Sequence, residues 1–172
     1  GDFQSRDRLA ARTFVDAVES VGVQRVVYLG GLGDDRDQLS EHLQSRREVE
    51  HILTSGSYEL TTLRAAIIIG EGSASFELIT QLADRLPVMV TPRWVRTECQ
   101  PIFVDDVISY LVGVLDAPET AGETFDIGGP DVLTYQEILE HTAELLSGRS
   151  PLILPVPVLS PGLSSGWLWL LT

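Results

Sequence analysis

The stretch Arg25 to Gly33, RVVYLGGLG, constrains the fold more than any other. Val26, Val27, Tyr28 and Leu29 form a short β-branched and aromatic run, closed by Gly30, Gly31 and Gly33. Such a run predicts a strand buried on both faces that ends in a glycine loop. Before it, Leu9, Ala10, Phe14, Val15, Ala17, Val18 and Val21 fall at helical spacing, with Arg12, Asp16 and Glu19 turned outward and Gly22 as a stop. After it, Ser40 to Ser55 also reads as a helix. Ser40 is its N-cap, and Leu43, Val49, Ile52 and Leu53 form its buried stripe. Helix, buried strand, glycine turn and helix describe a parallel α/β sheet. In open sheets of that kind ligands sit beyond the carboxyl ends of the strands.

The rest of the chain continues the alternation. Leu60 to Ile69 (LTTLRAAIII) predicts a second buried strand closed by Gly70 and Gly72. Ser73 or Ser75 caps a helix that buries Phe76, Ile79, Leu82, Ala83 and Leu86 and stops at Pro87. Val88 to Val90 is a short strand, Thr91 to Cys99 a loop, and Pro101 to Val104 another strand. Asp105 and Asp106 open a helix running to Leu115, where acids suit the positive helix N-terminus. Glu123 to Ile127 is a strand. Thr134 and Glu137 stand at capping-box spacing ahead of a helix that ends near Gly148. Residues 151–172 are proline-rich and then tryptophan-rich. The expected organisation is therefore one domain over 1–150, followed at 151–172 by a linker or the start of a further C-terminal domain. The opening GDFQSRDR and the apolar close GWLWLLT both read as cuts through a longer protein.

Composition narrows the partners. The 172 residues carry 12 Lys+Arg, all arginine, against 25 Asp+Glu, a formal charge of −13. A field of that sign repels phosphate backbones and argues against nucleic acid as a ligand. Cys99 is the only cysteine, which rules out an intrachain disulfide and suits a reducing cytoplasm. No run is apolar enough to span a membrane, so no membrane partner is expected. The acidic run Asp34-Asp35-Arg36-Asp37 is either a solvated turn or part of a hard-metal site. The turn is the simpler reading, because such metals need more oxygen ligands in fixed geometry.

Taken in order, RVVYLGGLG, a helix bearing His42 and Arg46, LRAAIIIGEGSASFE, QPIFVDDV and FDIGGPDVLTYQEIL resemble the extended and atypical short-chain dehydrogenase/reductase superfamily. The likeness extends to its nucleoside-diphosphate-sugar epimerase, NAD-dependent epimerase/dehydratase and NmrA-like branches. It runs over essentially the whole chain. It implies a Rossmann-like, mostly parallel sheet flanked by helices, here incomplete. The family's G-x-x-G-x-x-G turn, which holds the pyrophosphate on a helix N-terminus, would lie upstream of Gly1. The implied cofactor is NAD or NADP in the intact protein, bound weakly or not at all by these residues alone.

The resemblance also assigns site residues. Active members use Tyr-x-x-x-Lys with a Ser or Thr at the strand end; here the aligned pair is His42 and Arg46, and the strand end is Gly30 or Gly31. The two share a helix face. Histidine exchanges a proton near neutral pH, whereas arginine holds a ribose or phosphate but keeps its proton. The plain alternative is an exposed histidine and an ion-paired arginine. Leu29, Gly30, Gly31, Arg46, Arg64, Ala65 and Ala66 occupy the cofactor positions, and Arg93, Trp94 and Arg96 the substrate positions. There two arginines would grip a diphosphate while the indole stacks on a base. Equally, that loop is one anchored by a buried tryptophan. Asp105 reads as a cap, Tyr28 as a packed ring, and His51 and His141 as surface residues. Three functions follow: an NAD(P)-dependent oxidoreductase or sugar-nucleotide epimerase acting on a small molecule, with His/Arg replacing Tyr/Lys; a non-catalytic NAD(P)-binding sensor; or a scaffold docking a homo-oligomer or an additional C-terminal domain.

Overall fold

The computed structural model describes residues 2–32, 41–85, 88–148 and 150–156. In chain order its elements are α1 (Asp2–Ser20), β1 (Arg25–Gly31), α2 (Glu41–Leu53), β2 (Glu59–Ala65), β3 (Ile68–Ile69), α3 (Ala74–Arg85), β4 (Val88–Pro92), a 3-10 turn (Arg93–Arg96), β5 (Glu98–Cys99), β6 (Ile102–Phe103), α4 (Val104–Gly113), β7 (Thr124–Ile127), β8 (Leu133–Thr134), α5 (Tyr135–Ser147) and β9 (Leu152–Val156). A second 3-10 turn, Pro118–Thr120, precedes β7. The chain is an α/β, Rossmann-like fold, and it divides into two compact units, Gly1–Ile68 with Ile102–Gly129, and Ile69–Pro101 with Pro130–Thr172.

The first unit is built on a parallel sheet in the order β1-β2-β7. Arg25 pairs with Glu59 through to Gly31 with Ala65, and Thr62 with Thr124 through to Ala65 with Ile127. Strand side chains alternate between faces, and the core divides accordingly. On one face Val26, Tyr28 and Leu60 pack with Val15 and Val18 of α1 and with Val49, Ile52 and Leu53 of α2. On the other, Leu63, Ala65 and Ile127 meet Val107 and Leu111 of α4, with Val27 and Leu29 at the margin. Gly22, at φ 71°, adopts the left-handed conformation that ends α1 and lets β1 follow at once.

Two expectations change here. β1 is half-buried, with only Val26 below the surface, because among the described residues it pairs on one side alone. Gly30 and Gly31 are the last two residues of the strand and are not a loop beyond it; Gly33, the Asp34–Asp37 run and the Ser40 cap lie outside the described residues. The run from 60 to 69 is not one strand. It breaks after Ala65, where the Ala65 carbonyl accepts from Leu32 N–H and the Ile67 carbonyl from Ile102 N–H.

The second unit pairs β4 with β9 in parallel and β5 with β8 antiparallel, and packs α3 against α5. Ser73 Oγ accepts from Phe76 N–H at the start of α3. Thr134 and Glu137 form the expected capping box at α5, and Gly148, φ 68°, ends that helix. β9 falls in the stretch whose prolines read as linker. Pro155 sits opposite Thr91 in the pairing, and an edge strand tolerates a residue without an N–H. Where a plain loop was expected over Thr91 to Cys99, Thr91 and Pro92 end β4, and a 3-10 turn and a short strand follow. In the first unit, Asp105 and Asp106 occupy the first turn of α4, but Phe103 is the N-cap and supplies no side-chain bond. Asp105 therefore acts through the helix dipole and is not a cap. Leu86, Pro87 and the Trp167–Leu171 tail lie outside the described residues.

Candidate functional site

The chemistry-bearing side chains of the first unit gather where α2 crosses the carboxyl-terminal halves of β1 and β2. Register places Arg64 beside Gly30. Its guanidinium grips Glu50 of α2 with both prongs, Nη2 to Oε1 at 2.6 Å and Nε to Oε2 at 3.3 Å. Arg47 Nη1 reaches the same carboxylate at 3.2 Å. Glu50 is buried, and its two charge-assisted partners meet its acceptor demand. A pocket of about 390 Å³ lies alongside, lined by Arg47, Glu48, Glu50, His51, Thr54 and Arg64.

On the other flank of α2, the Tyr28 hydroxyl donates to the Arg46 carbonyl at 3.3 Å. Burial raises the phenol's pKa; the Arg46 guanidinium beside it pulls the other way, while Glu50 and Asp7 add to the rise. The phenol is therefore protonated at neutral pH and stands as a donor. Ser45, almost fully buried, donates to Asp7 Oδ2 at 2.8 Å, and Arg8 pairs with Glu48 at 3.1 Å. These bonds fasten α1 to α2. An acid whose pKa rises on folding contributes stability that is whole below its ordinary value of 10.0 and lost as pH climbs through the raised one. Tyr28→Phe should therefore blunt the fall in stability above pH 10. It should not abolish the fall, since burial also raises Tyr58 and Tyr135. Denaturant melts across an alkaline series would measure the difference.

The residues singled out from sequence are distributed as follows. His42 and Arg46 lie one turn apart on α2; the His42 side chain is outside the described residues. A Cβ on Gly30 would meet the Tyr28 ring at 3.1 Å, and one on Gly31 would meet Leu43 Cδ2 at 2.8 Å. Both glycines thus make room for the chain's own side chains. Leu29 flanks the core, Ala65 is buried within it, and Ala66 follows β2 half-buried. Arg64 is held by Glu50. Arg93, Trp94 and Arg96 fall in the second unit; Arg96 is exposed, and the anchor of that turn is Val95, 1 % exposed. The side chains of Arg93 and Trp94 are outside the described residues. Cys99 is a half-buried free thiol whose pKa burial raises. Among the described residues no cluster could hold a metal ion, and no helix is long and apolar enough to cross a membrane.

Sequence reasoning missed Glu50, Ser45 and Asp7, and took Tyr28 only as a packed ring. Glu50 was within reach: it stands three residues after Arg47 and four after Arg46, the spacings that share a helix face. The link to Arg64 needed the sheet register.

No family model matches the chain. A mitochondrial protein of Arabidopsis thaliana, NADH dehydrogenase (ubiquinone) 1 alpha subcomplex subunit 9, is 25 % identical over 139 residues, covering 80 % of this chain and 35 % of the relative. The mitochondrial NADH-ubiquinone oxidoreductase 40 kDa subunit of Neurospora crassa is 27 % identical over 164 residues, 92 % of this chain and 42 % of the relative. The chain thus spans well under half the length of these curated relatives. Among solved structures, UDP-glucuronic acid 4-epimerase from Bacillus cereus, in complex with UDP-glucuronic acid and NAD, superposes with a TM-score of 0.66 at 18 % identity, over 88 % of this chain and 55 % of that one. The Rossmann-like fold is shared with these solved structures, one of them a short-chain dehydrogenase/reductase superfamily protein from Agrobacterium tumefaciens with bound NAD, at a TM-score of 0.67 and 17 % identity over 90 % of this chain and 63 % of that one. The cytoplasmic location expected from a lone cysteine is corrected: the curated relatives are mitochondrial proteins. One reduced thiol does not tell two compartments apart.

Proposed function

We propose that this chain is part of an NAD- or NADP-binding protein that holds its dinucleotide without turning it over and works within a larger protein assembly. The observation that carries this reading is that the described polar side chains around α2 are held by the protein itself. Arg46 stands at the family's lysine position, where a guanidinium only donates hydrogen bonds. Tyr28 is protonated and committed to the Arg46 carbonyl. Arg64 is occupied by Glu50. What does fit a dinucleotide is narrower: Arg46, as a ribose- or phosphate-holding donor. A bound nicotinamide would supply hydride-transfer chemistry; these residues supply a grip. The names of the curated relatives, subunits of NADH-ubiquinone oxidoreductase, support the protein partner.

A second reading is a sugar-nucleotide epimerase or oxidoreductase, with His42 as proton carrier and Arg93, Trp94 and Arg96 on a diphosphate substrate. The His42–Arg46 spacing favours it, as does the epimerase complex with UDP-glucuronic acid and NAD. The two readings separate in the full-length protein. NADH and NADPH titrated by nicotinamide fluorescence should show saturable binding that weakens in Arg46→Ala. Sugar nucleotides should yield no epimerised product by chromatography, and carbonyl compounds no change in nicotinamide absorbance. Turnover that disappears in His42→Phe would replace the first reading with the second.

A further inference from the structure

The second unit carries a sheet with one apolar face uncovered. β4 and β9 pair in parallel, Val88 with Leu152 and Met89 with Ile153. Register partners share a face, and successive side chains alternate between faces. Met89 and Ile153 are buried on one side. Val88, Leu152 and Leu154 turn to the other and are exposed. A strand with one wet face alternates apolar with polar residues, whereas a strand covered on both faces is apolar throughout. β9 reads Leu-Ile-Leu-Pro-Val and carries no polar side chain. Its sequence is that of a strand covered twice, and among the described residues the second cover is missing.

The residues that follow β9 have the composition of such a cover. Residues 157–172 contain no charged side chain, although charged residues make up 22 % of the chain, and half of them are Val, Leu or Trp. Segments that stay in water are rich in charge and poor in aromatic residues; this one is the reverse. Ser160-Pro161-Gly162 sets proline and glycine at the centre of a turn. There proline presets φ and glycine accepts the positive value that reverses the chain. Reach is sufficient in either regular conformation. β9 has five residues, a length of about 17 Å. Residues 163–172 span roughly 15 Å if helical and roughly 33 Å if extended.

We propose that residues 163–171 dock on the face made by Val88, Leu152 and Leu154 of their own chain, with the tryptophans Trp167 and Trp169 supplying the contact. An indole brings a large apolar area at the cost of ordering two torsions. Attachment just beyond β9 holds the segment near the face at an effective concentration in the millimolar range. A second copy has no such advantage, and two chains of formal charge −13 repel. The docking is independent of any dinucleotide.

Fluorine NMR of the full-length protein labelled with 5-fluorotryptophan tests it. Trp167→Phe and Trp169→Phe identify the two resonances. At least one should show little solvent isotope shift between H2O and D2O, and Leu152→Ser/Leu154→Ser should move it to the solvent-exposed position. Ile108→Ser, an exposed apolar site in the first unit, should leave both resonances in place. Far-ultraviolet dichroism checks that the double variant is folded; if it is not, Val88→Ser on β4 gives the same readout. Two solvent-exposed resonances in the unaltered protein would overturn the proposal. So would a shielded resonance indifferent to Leu152, Leu154 and Val88, which would place the tryptophans on other polypeptide. Shielding that vanishes on dilution to monomer would overturn it in favour of a second copy.

Discussion

Leu63→Ala is expected to lower the unfolding free energy by about 3–5 kcal/mol, the largest effect of any apolar truncation in the first unit. Leu63 is 1 % exposed and lies in the central strand of the sheet, paired to β1 on one side and to β7 on the other. Its side chain sits among Ala65, Ile102, Val107, Val114 and Ile127. A site recovers part of the loss only when its walls move in. Here β2 is fixed by hydrogen bonds on both edges, and the β-branched side chains opposite have few rotamers with which to fill the void. Urea unfolding monitored by far-ultraviolet dichroism would give the difference, and a melting temperature lowered on the order of ten degrees should accompany it. Ile108→Ala on the outer side of α4 is the control. That residue is 51 % exposed, and its loss should cost within about 0.5 kcal/mol. Equal losses at the two positions would mean that the sheet–α4 interface is not the core of this unit.

The contrast between those two residues marks how far the sequence could be read. Helical spacing found α1, α2 and α5, because a buried stripe every three to four residues leaves a local trace. The capping box at Thr134 and the left-handed glycines were equally local. β9 was hidden: Pro155 is a breaker by every short-range rule, and only its pairing with β4, more than sixty positions away, makes a strand of it. The site divides in the same way. Arg46 and Arg64 were found from motif order, but what holds each was not. Glu50 reaches Arg64 through the β1–β2 register and the crossing of α2, neither of which a linear pattern contains. The glycines of β1 stood out for the right strand and a different use, since Tyr28 and Leu43 fill the space they leave.

Glu50→Gln is expected to cost about 2–4 kcal/mol, since it leaves two guanidinium groups at a buried position without their counter-charge. The side chains are 11 % exposed at Glu50, 15 % at Arg47 and 23 % at Arg64. Salt therefore screens the interaction poorly, and the loss should persist at high ionic strength, unlike that of the more exposed Arg8–Glu48 pair. Arg64→Met should cost less than Glu50→Gln, because Arg47 still neutralises the remaining carboxylate. The double variant Glu50→Met/Arg64→Met should recover much of the loss by replacing a desolvated pair with apolar contact. Chemical denaturation of the three variants measures these terms, and NADH titration of the same proteins connects them to function. If Glu50 is what keeps Arg64 from a dinucleotide, Glu50→Gln frees a guanidinium beside Gly30 and tightens NADH binding even as the fold weakens. If Arg64 serves the fold alone, stability falls and affinity does not rise.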